Sequence, residues 1–127
     1  MKLTVSLIAL TLITLSSCFP EKFTNCYKGR LENVPNCGAP VIKILEGDLS
    51  NIEHEDWVNP ANNESHDDVF VVKNYCDFYE SRIEEGEEFY FVVKSSMEAQ
   101  NCVICTALYP VPAKINVIKV VKDRACD

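Results

Sequence analysis

Basic residues are scarce in this chain of 127 residues, where 12 lysines and arginines stand against 19 aspartates and glutamates. Proteins that bind the phosphate backbone of nucleic acids need clustered lysine and arginine, so we expect no nucleic acid partner. The acidic balance also argues against adhesion to anionic lipids by charge alone. The sequence contains no internal repeat, and its length is typical of one domain.

No apolar run is long enough to span a membrane as a helix. The longest one, residues 3–15 (LTVSLIALTLITL), would extend only about 20 Å against a hydrocarbon core of roughly 30 Å. It follows Lys2 and contains no charge, glycine or proline, which is typical of the apolar part of a signal peptide. The sequence therefore predicts export.

The residues after the apolar run decide how the leader is removed. Residues 15–18 (LSSC) resemble the lipobox of bacterial lipoproteins, in which one branched apolar and two small residues precede the cysteine that receives diacylglycerol. We therefore predict lipidation of Cys18. The alternative is an ordinary signal-peptidase cut after Cys18, because Ser16 and Cys18 also give a small-x-small pattern.

These patterns divide the chain into a signal peptide (1–17), a tether (18–25) and a single β domain (26–127). The signal peptide contains one lysine and no acid, so the mature chain keeps 11 basic and 19 acidic residues, a net charge of −8. One acyl chain binds a membrane only marginally, whereas two or more anchor stably. A triacylated cysteine would therefore hold the domain on a membrane.

An even number of cysteines remains once Cys18 is set aside. Six cysteines in an exported chain indicate up to three disulfides, with fifteen pairings open. Cys26 and Cys126 lie near the two ends of the domain, and we predict a bond between them. In the chain-entropy model a loop of about 100 residues is worth roughly 4 to 5 kcal/mol. The disulfide candidates are Cys26, Cys37, Cys76, Cys102, Cys105 and Cys126.

Short runs rich in valine, isoleucine and aromatic residues recur along the mature chain. β-Branched side chains fit pleated sheets better than helices, so these runs predict strands. The six predicted strands cover residues 27–34, 41–45, 69–72, 88–94, 102–109 and 114–121. The expected fold is all-β, an antiparallel sandwich or small OB-like barrel of about six strands, bonded by disulfides.

Helix is predicted in only two segments. Residues 48–57 (DLSNIEHEDW) begin with Asp48 and Ser50 as candidate caps and carry acids near the N-terminus. Residues 77–85 allow one helical turn before Gly86.

Several motifs, taken as a set, are similar to those of a group of short lipoproteins from Bacteroidetes-type bacteria. They are the lipobox at Cys18, residues 74–78 (NYCDF), residues 85–91 (EGEEFYF) and the N-C-x-x-C motif at residues 101–105. The similarity covers about residues 29–122. The resemblance implies a lipid-anchored envelope domain. The group has no assigned activity, so no functional residue is carried over from it.

The Cys102-x-x-Cys105 spacing occurs in thiol–disulfide centres and in half of a zinc site. A redox centre needs a helix after the first cysteine, and Pro110 leaves no room for one. In a strand, positions i and i+3 point to opposite faces, so we expect each thiol to pair elsewhere. No second pair of cysteines or histidines lies at zinc-finger spacing.

Between Lys43 and Lys73 there are eight acids and no lysine or arginine. The same stretch holds both histidines, and a loop that folds it together could bind a divalent cation or another ligand, although the EF-hand order is absent. Ser65, His66 and Asp67 are sequence neighbours, which does not make a catalytic triad. The simpler interpretation is a solvated acidic loop. The candidate residues are His54, Asp56, Trp57, His66, Asp67 and Asp68.

The only tryptophan, Trp57, either caps the core or forms an exposed platform for a sugar or peptide. Large aromatic side chains usually bury most of their area, which favours the cap. Residues 63–65 (NES) match the N-glycosylation pattern, which has meaning only in a eukaryotic host. The lipobox predicts a bacterial one.

No nucleophile, base and oxyanion donors occur at motif spacing, so we expect a protein that is not an enzyme and has no cofactor. The favoured hypothesis is a lipid-anchored module of the bacterial envelope, on the outer membrane or periplasmic face. It would bind an unknown envelope protein, peptide or glycan, or have a structural role. The alternatives are an envelope thiol–disulfide protein using Cys102 and Cys105, and a freely secreted inhibitor-like protein. Loops at one end of small barrels often carry recognition, so residues 48–68 are the expected binding region.

Overall fold

The computed structural model describes residues 23–35, 38–103 and 109–126. Within these ranges the elements are β1 (Cys26–Asn33), β2 (Val41–Glu46), β3 (Glu55–Val58), β4 (Ser65–Val72), α1 (Tyr75–Glu80), β5 (Glu88–Lys94) and β6 (Ile115–Val121). Short 3-10 turns lie at Leu49–Asn51 and Asp123–Ala125. In the described part of the chain, no helix has the length and hydrophobicity that crossing a membrane requires.

Strand β5 sets the centre of the core, because its alternating pattern points aromatic side chains inward. Phe91 is fully buried and its ring centroid lies 5.4 Å from that of Tyr27 and 5.6 Å from that of Phe70. Phe89 packs beside Phe91 at 5.7 Å. Offset and tilted aromatic pairs at these distances stabilise beyond the area they bury. Val93, the next residue on the same face of the strand, is 37% exposed.

The sheet closes into a barrel because β4 pairs with both β2 and β6. Around the ring the order is β1, β2, β4, β6, β5, and back to β1, with β3 added outside the ring on β4. The β4–β6 pairing is parallel, whereas the other described strand pairs are antiparallel. The predicted all-β, OB-like barrel is confirmed: five strands form the closed ring and the sixth extends it.

Helix α1 connects β4 to β5 and covers one end of the barrel. Its buried Phe78 packs edge-on against Phe89, with ring centroids 5.5 Å apart. The side-chain oxygen of Gln100 accepts hydrogen bonds from the backbone N–H groups of Cys76 (2.9 Å) and Asp77 (3.3 Å). The Cys76–Cys102 disulfide ties the same segment to the helix. A short helix of six residues is thus held by contacts from outside itself.

Two buried asparagines lock β6 into the ring. The Asn74 side chain donates to Ile118 O at 2.6 Å and accepts from Ile118 N at 3.0 Å, which continues the parallel β4–β6 ladder beyond the end of β4. The Asn116 side chain does the same with the backbone of Glu53, at 2.7 and 3.2 Å. The Glu55 carboxylate accepts from the backbone N–H groups of Ala113 and Lys114. Side-chain amides therefore replace strand partners where the sheet ends.

A disulfide joins the two ends of the domain. Cys26, the first residue of β1, is bonded to Cys126, which confirms the pairing predicted from their positions. Beside it, Phe23 N donates to Ala125 O at 2.6 Å, and Phe23 forms a parallel bridge with Cys126. The described fold therefore includes Phe23, which falls within the predicted tether of residues 18–25.

The helix predicted over residues 48–57 is wrong. Asp48 does cap a turn, because its carboxylate accepts from Ser50 N, but the 3-10 turn ends at Asn51. Ile52 then enters the core, and β3 pairs with β4 from Glu55 onward. Acidic residues in the sequence DLSNIEHEDW mimic the first turn of a helix. Asp48 bonds within the short turn, whereas Glu53 and Glu55 contact residues about 60 positions further along the chain.

Other strand boundaries differ from the predictions for similar reasons. The strand predicted at residues 69–72 begins four residues earlier, because its polar half pairs with β3. Of the strand predicted at residues 102–109, the structure describes 102–103 and 109 as irregular, and residues 104–108 lie outside the described ranges. The strand predicted at 88–94 is confirmed with the same bounds.

We expect the Cys26–Cys126 bond to contribute more stability than the Cys76–Cys102 bond, because it closes a loop of 100 residues rather than 26. Replacing both cysteines of the terminal bond by serine should lower the free energy of unfolding by about 4 to 5 kcal/mol, against about 3 to 4 kcal/mol for the second pair. Urea unfolding of the two double variants measures this. A smaller loss for the terminal pair would contradict it.

Asn74→Ala should destabilise the barrel by about 2 to 4 kcal/mol, because both backbone groups of Ile118 lose their partner in a buried position. Asn101→Ala is the matched control, since Asn101 is exposed, and it should change the free energy of unfolding by less than about 0.5 kcal/mol. Thermal or urea unfolding compares the two variants. Equal losses would show that Asn74 does not lock β6.

Candidate functional site

The hairpin formed by β3 and β4 carries most of the candidate residues, and it contains a bulge. Glu55 lies opposite Val69 and Trp57 lies opposite His66, so β4 has one extra residue there. Asp68 takes the left-handed conformation that the bulge needs, with φ of 53°. Such a conformation is uncommon outside glycine and is tolerated best by asparagine and aspartate.

The acidic side chains near the bulge hold its backbone. Asp56 Oδ1 accepts a hydrogen bond from Asp68 N at 3.1 Å, and His54 Nδ1 lies 3.3 Å from Asp68 Oδ1. From β2, Lys43 donates to the backbone oxygen of Asp67 at 3.0 Å. The structure thus brings His54, Asp56 and Asp68 together, and these contacts account for the unusual backbone of the bulge.

The second group lies across the outer surface of the barrel. Trp57 and His66 stack with their ring centroids 5.7 Å apart. His66 Nδ1 lies 3.9 Å from Glu32 of β1, and its Nε2 lies 3.7 Å from Glu64. Glu32 in turn accepts from Arg30 at 2.8 Å. The group is a chain of polar contacts around a histidine whose side chain is 10% exposed.

Trp57 is neither an exposed platform nor a cap on the barrel end. It packs on a small apolar cluster on the outside of the ring, made by the buried residues Val41, Val69 and Val71. Burial of this face removes apolar surface that would otherwise be exposed on β2 and β4. Trp57 therefore has a structural explanation.

The six candidate residues of the acidic stretch form two groups rather than one. His54, Asp56 and Asp68 surround the bulge, Trp57 and His66 stack on the outer surface, and Asp67 has an exposed side chain. Among the described residues, no three histidines, cysteines or acids are placed to hold one metal ion. A ligand role for this hairpin stays a prediction.

The two described disulfides give Cys102 a partner outside its C-x-x-C motif. Cys102 is bonded to Cys76, 26 residues away, and its backbone N–H lies against the Cys76 sulfur at 3.2 Å. This confirms for Cys102 the expectation that each thiol of the motif pairs elsewhere. Cys18, Cys37 and Cys105 lie outside the described residues.

A cleft of about 700 Å³ opens where β1 begins and β5 ends. We call it the basic cleft. It is lined chiefly by Phe23, Tyr27, Val92, Val93, Lys94 and Lys119, with the smaller polar residues Thr24, Asn25, Asn51 and Ser95. Its described lining contains two lysines and no acid, although the whole chain has a net charge of −7.

The walls of the basic cleft are fixed by local structure. The Tyr27 hydroxyl donates to Asp48 O at 2.8 Å, and the Tyr27 ring lies against Gly47. Gly47 has φ of 132°, and a Cβ there would lie 2.2 Å from Tyr27 Cδ1, so only glycine fits. Lys119 Nζ lies 5.4 Å from the centre of the Phe23 ring, within the range of a cation–π contact.

Sequence reasoning missed the basic cleft because its residues come from four separate segments. One signal was present: in strands with period 2, Val92 and Lys94 share the outer face of β5, and Lys119 lies directly opposite Val92 on β6. That register follows from the fold and not from any local motif.

Asn63, the acceptor residue of the glycosylation pattern, lies in the turn between β3 and β4. It is exposed and has φ of 57°. The hairpin turn is built by Asn59 and Asn62, whose side chains accept from Ala61 N and Glu64 N at 3.0 Å each. Asn63 is thus accessible on the surface of the domain.

Comparison of the chain with protein-family models, with curated proteins and with solved structures finds no match. The site must therefore be interpreted from its own geometry.

Asp48 should titrate below its usual range, because the Ser50 hydroxyl and then the Ser50 N–H donate to its carboxylate and lower its pKa. A lowered pKa in the folded state stabilises the fold above the unfolded pKa of about 3.9, and this contribution is lost as pH falls through the folded value. Carboxyl ¹³C NMR titration measures the pKa directly.

Ser50→Ala should raise the pKa of Asp48 towards its ordinary value. Asn51→Ala is the control, since the Asn51 bond is the weakest of the causes that lower it and should change it less. An unchanged pKa in Ser50→Ala would show that the Ser50 hydroxyl does not lower the pKa of the carboxyl group.

Proposed function

We propose that the chain is an exported binding module without enzymatic activity, held in the bacterial envelope by a lipid on Cys18. The observation that carries the proposal is the pair of described disulfides, one of which joins the two ends of the barrel. Disulfides form and persist in oxidising compartments such as the periplasm and the cell surface, and are rare in the cytosol. They support export, which the apolar run at residues 3–15 also predicts.

The distance between the anchor and the domain supports a close approach to the membrane. The described fold begins at Phe23, five residues after Cys18. Five residues span at most about 18 Å when fully extended. A lipid on Cys18 would therefore keep the barrel next to the bilayer and would keep the basic cleft, which includes Phe23, at the anchored end.

The thiol–disulfide alternative has less support than the binding module. A redox centre needs its two cysteines to exchange with each other, and Cys102 is bonded to Cys76 beside a six-residue helix. Full oxidation of the mature chain would leave Cys37 and Cys105 as each other's only remaining partners in the domain.

The freely secreted, inhibitor-like protein remains the second candidate. The same disulfides favour it as strongly, because small secreted domains commonly depend on such bonds. It differs from the first candidate in a single chemical respect, the fate of Cys18.

Mass analysis of the mature protein from its native cells separates the two candidates. We expect an N-terminal peptide that starts at diacylglyceryl-modified Cys18, in the membrane fraction, with no signal peptide. The full-length Cys18→Ala variant should lose the lipid and leave that fraction. An unmodified N-terminus at Phe19 would overturn the anchor, and a glycan on Asn63 would overturn the bacterial host.

A further inference from the structure

We propose that the basic cleft binds a small amphipathic organic anion, with an apolar body against Phe23, Val92 and Val93 and an anionic group between Lys94 and Lys119. This rests on the proposed function, since it gives the binding module a class of ligand. The cleft volume of about 700 Å³ lies within the range of roughly 300 to 1,000 Å³ that small-molecule sites occupy.

The position of the cleft in the fold favours a ligand site. Helix α1 covers the end of the barrel at which β5 begins, whereas the cleft lies where β5 ends. Mouths of β-barrels are common places for small ligands, because the ends of several strands converge there. Val93 is 37% exposed at this mouth although its side chain follows the inward side of β5.

The chemistry of the lining selects the ligand class. Phe23, Val92 and Val93 provide an apolar surface, to which the buried Tyr27, 3% exposed, adds little. Lys94 and Lys119 provide two ammonium groups, and the described lining of the cleft contains no acid, although the same two lysines also line a neighbouring cleft together with Asp77, Glu80 and Glu98. A neutral apolar ligand would leave these charges unused, whereas a cation would be repelled. A carboxylate on an apolar body fits both features.

The charge distribution of the domain makes the site specific. Acids are concentrated on the β3–β4 hairpin and before β5, so the chain as a whole repels anions. Local attraction at the cleft therefore selects where an anion binds, and the net negative charge disfavours other positions. Asn25, Asn51, Thr24 and Ser95 add polar groups at the rim.

The test uses decanoate as the probe and the mature protein with its disulfides intact. Titration followed by ¹H–¹⁵N NMR and calorimetry should show saturable binding, with shifts in Val92, Val93 and Lys119. Decanol, which has the same apolar body without the charge, and decyltrimethylammonium, which has the opposite charge, should bind at least about tenfold more weakly. Decanoate binding should also weaken as salt is raised.

Two pairs of matched variants distinguish an effect of the cleft lysines from an effect of the protein's net charge. Lys94→Gln combined with Lys119→Gln should weaken decanoate binding about tenfold and leave decanol unchanged. Lys73→Gln combined with Lys122→Gln removes the same charge from exposed positions outside the described lining and should have little effect. Circular dichroism checks that both pairs remain folded.

Three results would overturn the proposal: no saturable decanoate binding, equal binding of decanoate and decanol, or equal losses in the two lysine pairs. None of these three results depends on whether Cys18 carries a lipid. The mass of the N-terminal peptide tests the proposed function alone, and decanoate binding tests the ligand class alone.

Discussion

Insertion of β6 between β5 and β4 is the constraint on which the rest of the structure depends. Without it, β5 has no second partner and the ring opens into a single sheet that runs β5, β1, β2, β4, β3. Because its pairing with β4 covers only two residues of parallel ladder, β6 needs further contacts. It receives them from Asn74, from Asn116 and from the bond of Cys126 to Cys26. A closed ring also removes the edges at which strands of different molecules pair.

The two ends of the barrel then have different roles. At one end, α1 and Phe78 complete the core, with Gln100 and the Cys76–Cys102 bond holding the helix. At the other end, the chain enters through Phe23 and leaves Val93 partly exposed beside two lysines. The four cysteines of the described disulfides thus stabilise the frame, and the proposed ligand site is formed by non-cysteine side chains at the open mouth.

Alternation of apolar residues was enough to predict an all-β fold, either a sandwich or a small barrel, and local pattern was not enough to predict the site. β5 has Phe89 and Phe91 at period 2, so its bounds and inner face follow from the sequence. The terminal disulfide follows from the positions of Cys26 and Cys126. The helix prediction for residues 48–57 fails because Glu53 and Glu55 form hydrogen bonds with residues about 60 positions away in the sequence. No local pattern reveals such partners. The bulge at Asp68 and the register that places Lys119 opposite Val92 are likewise products of long-range pairing.

Disulfide mapping of the mature protein tests most directly the claim that these cysteines close a barrel rather than carry out redox chemistry. Digestion without reduction, followed by mass spectrometry, should yield one linked pair of peptides containing Cys26 and Cys126 and another containing Cys76 and Cys102. A bond within one peptide, between Cys102 and Cys105, would contradict the structural role of Cys102 and restore the thiol–disulfide alternative.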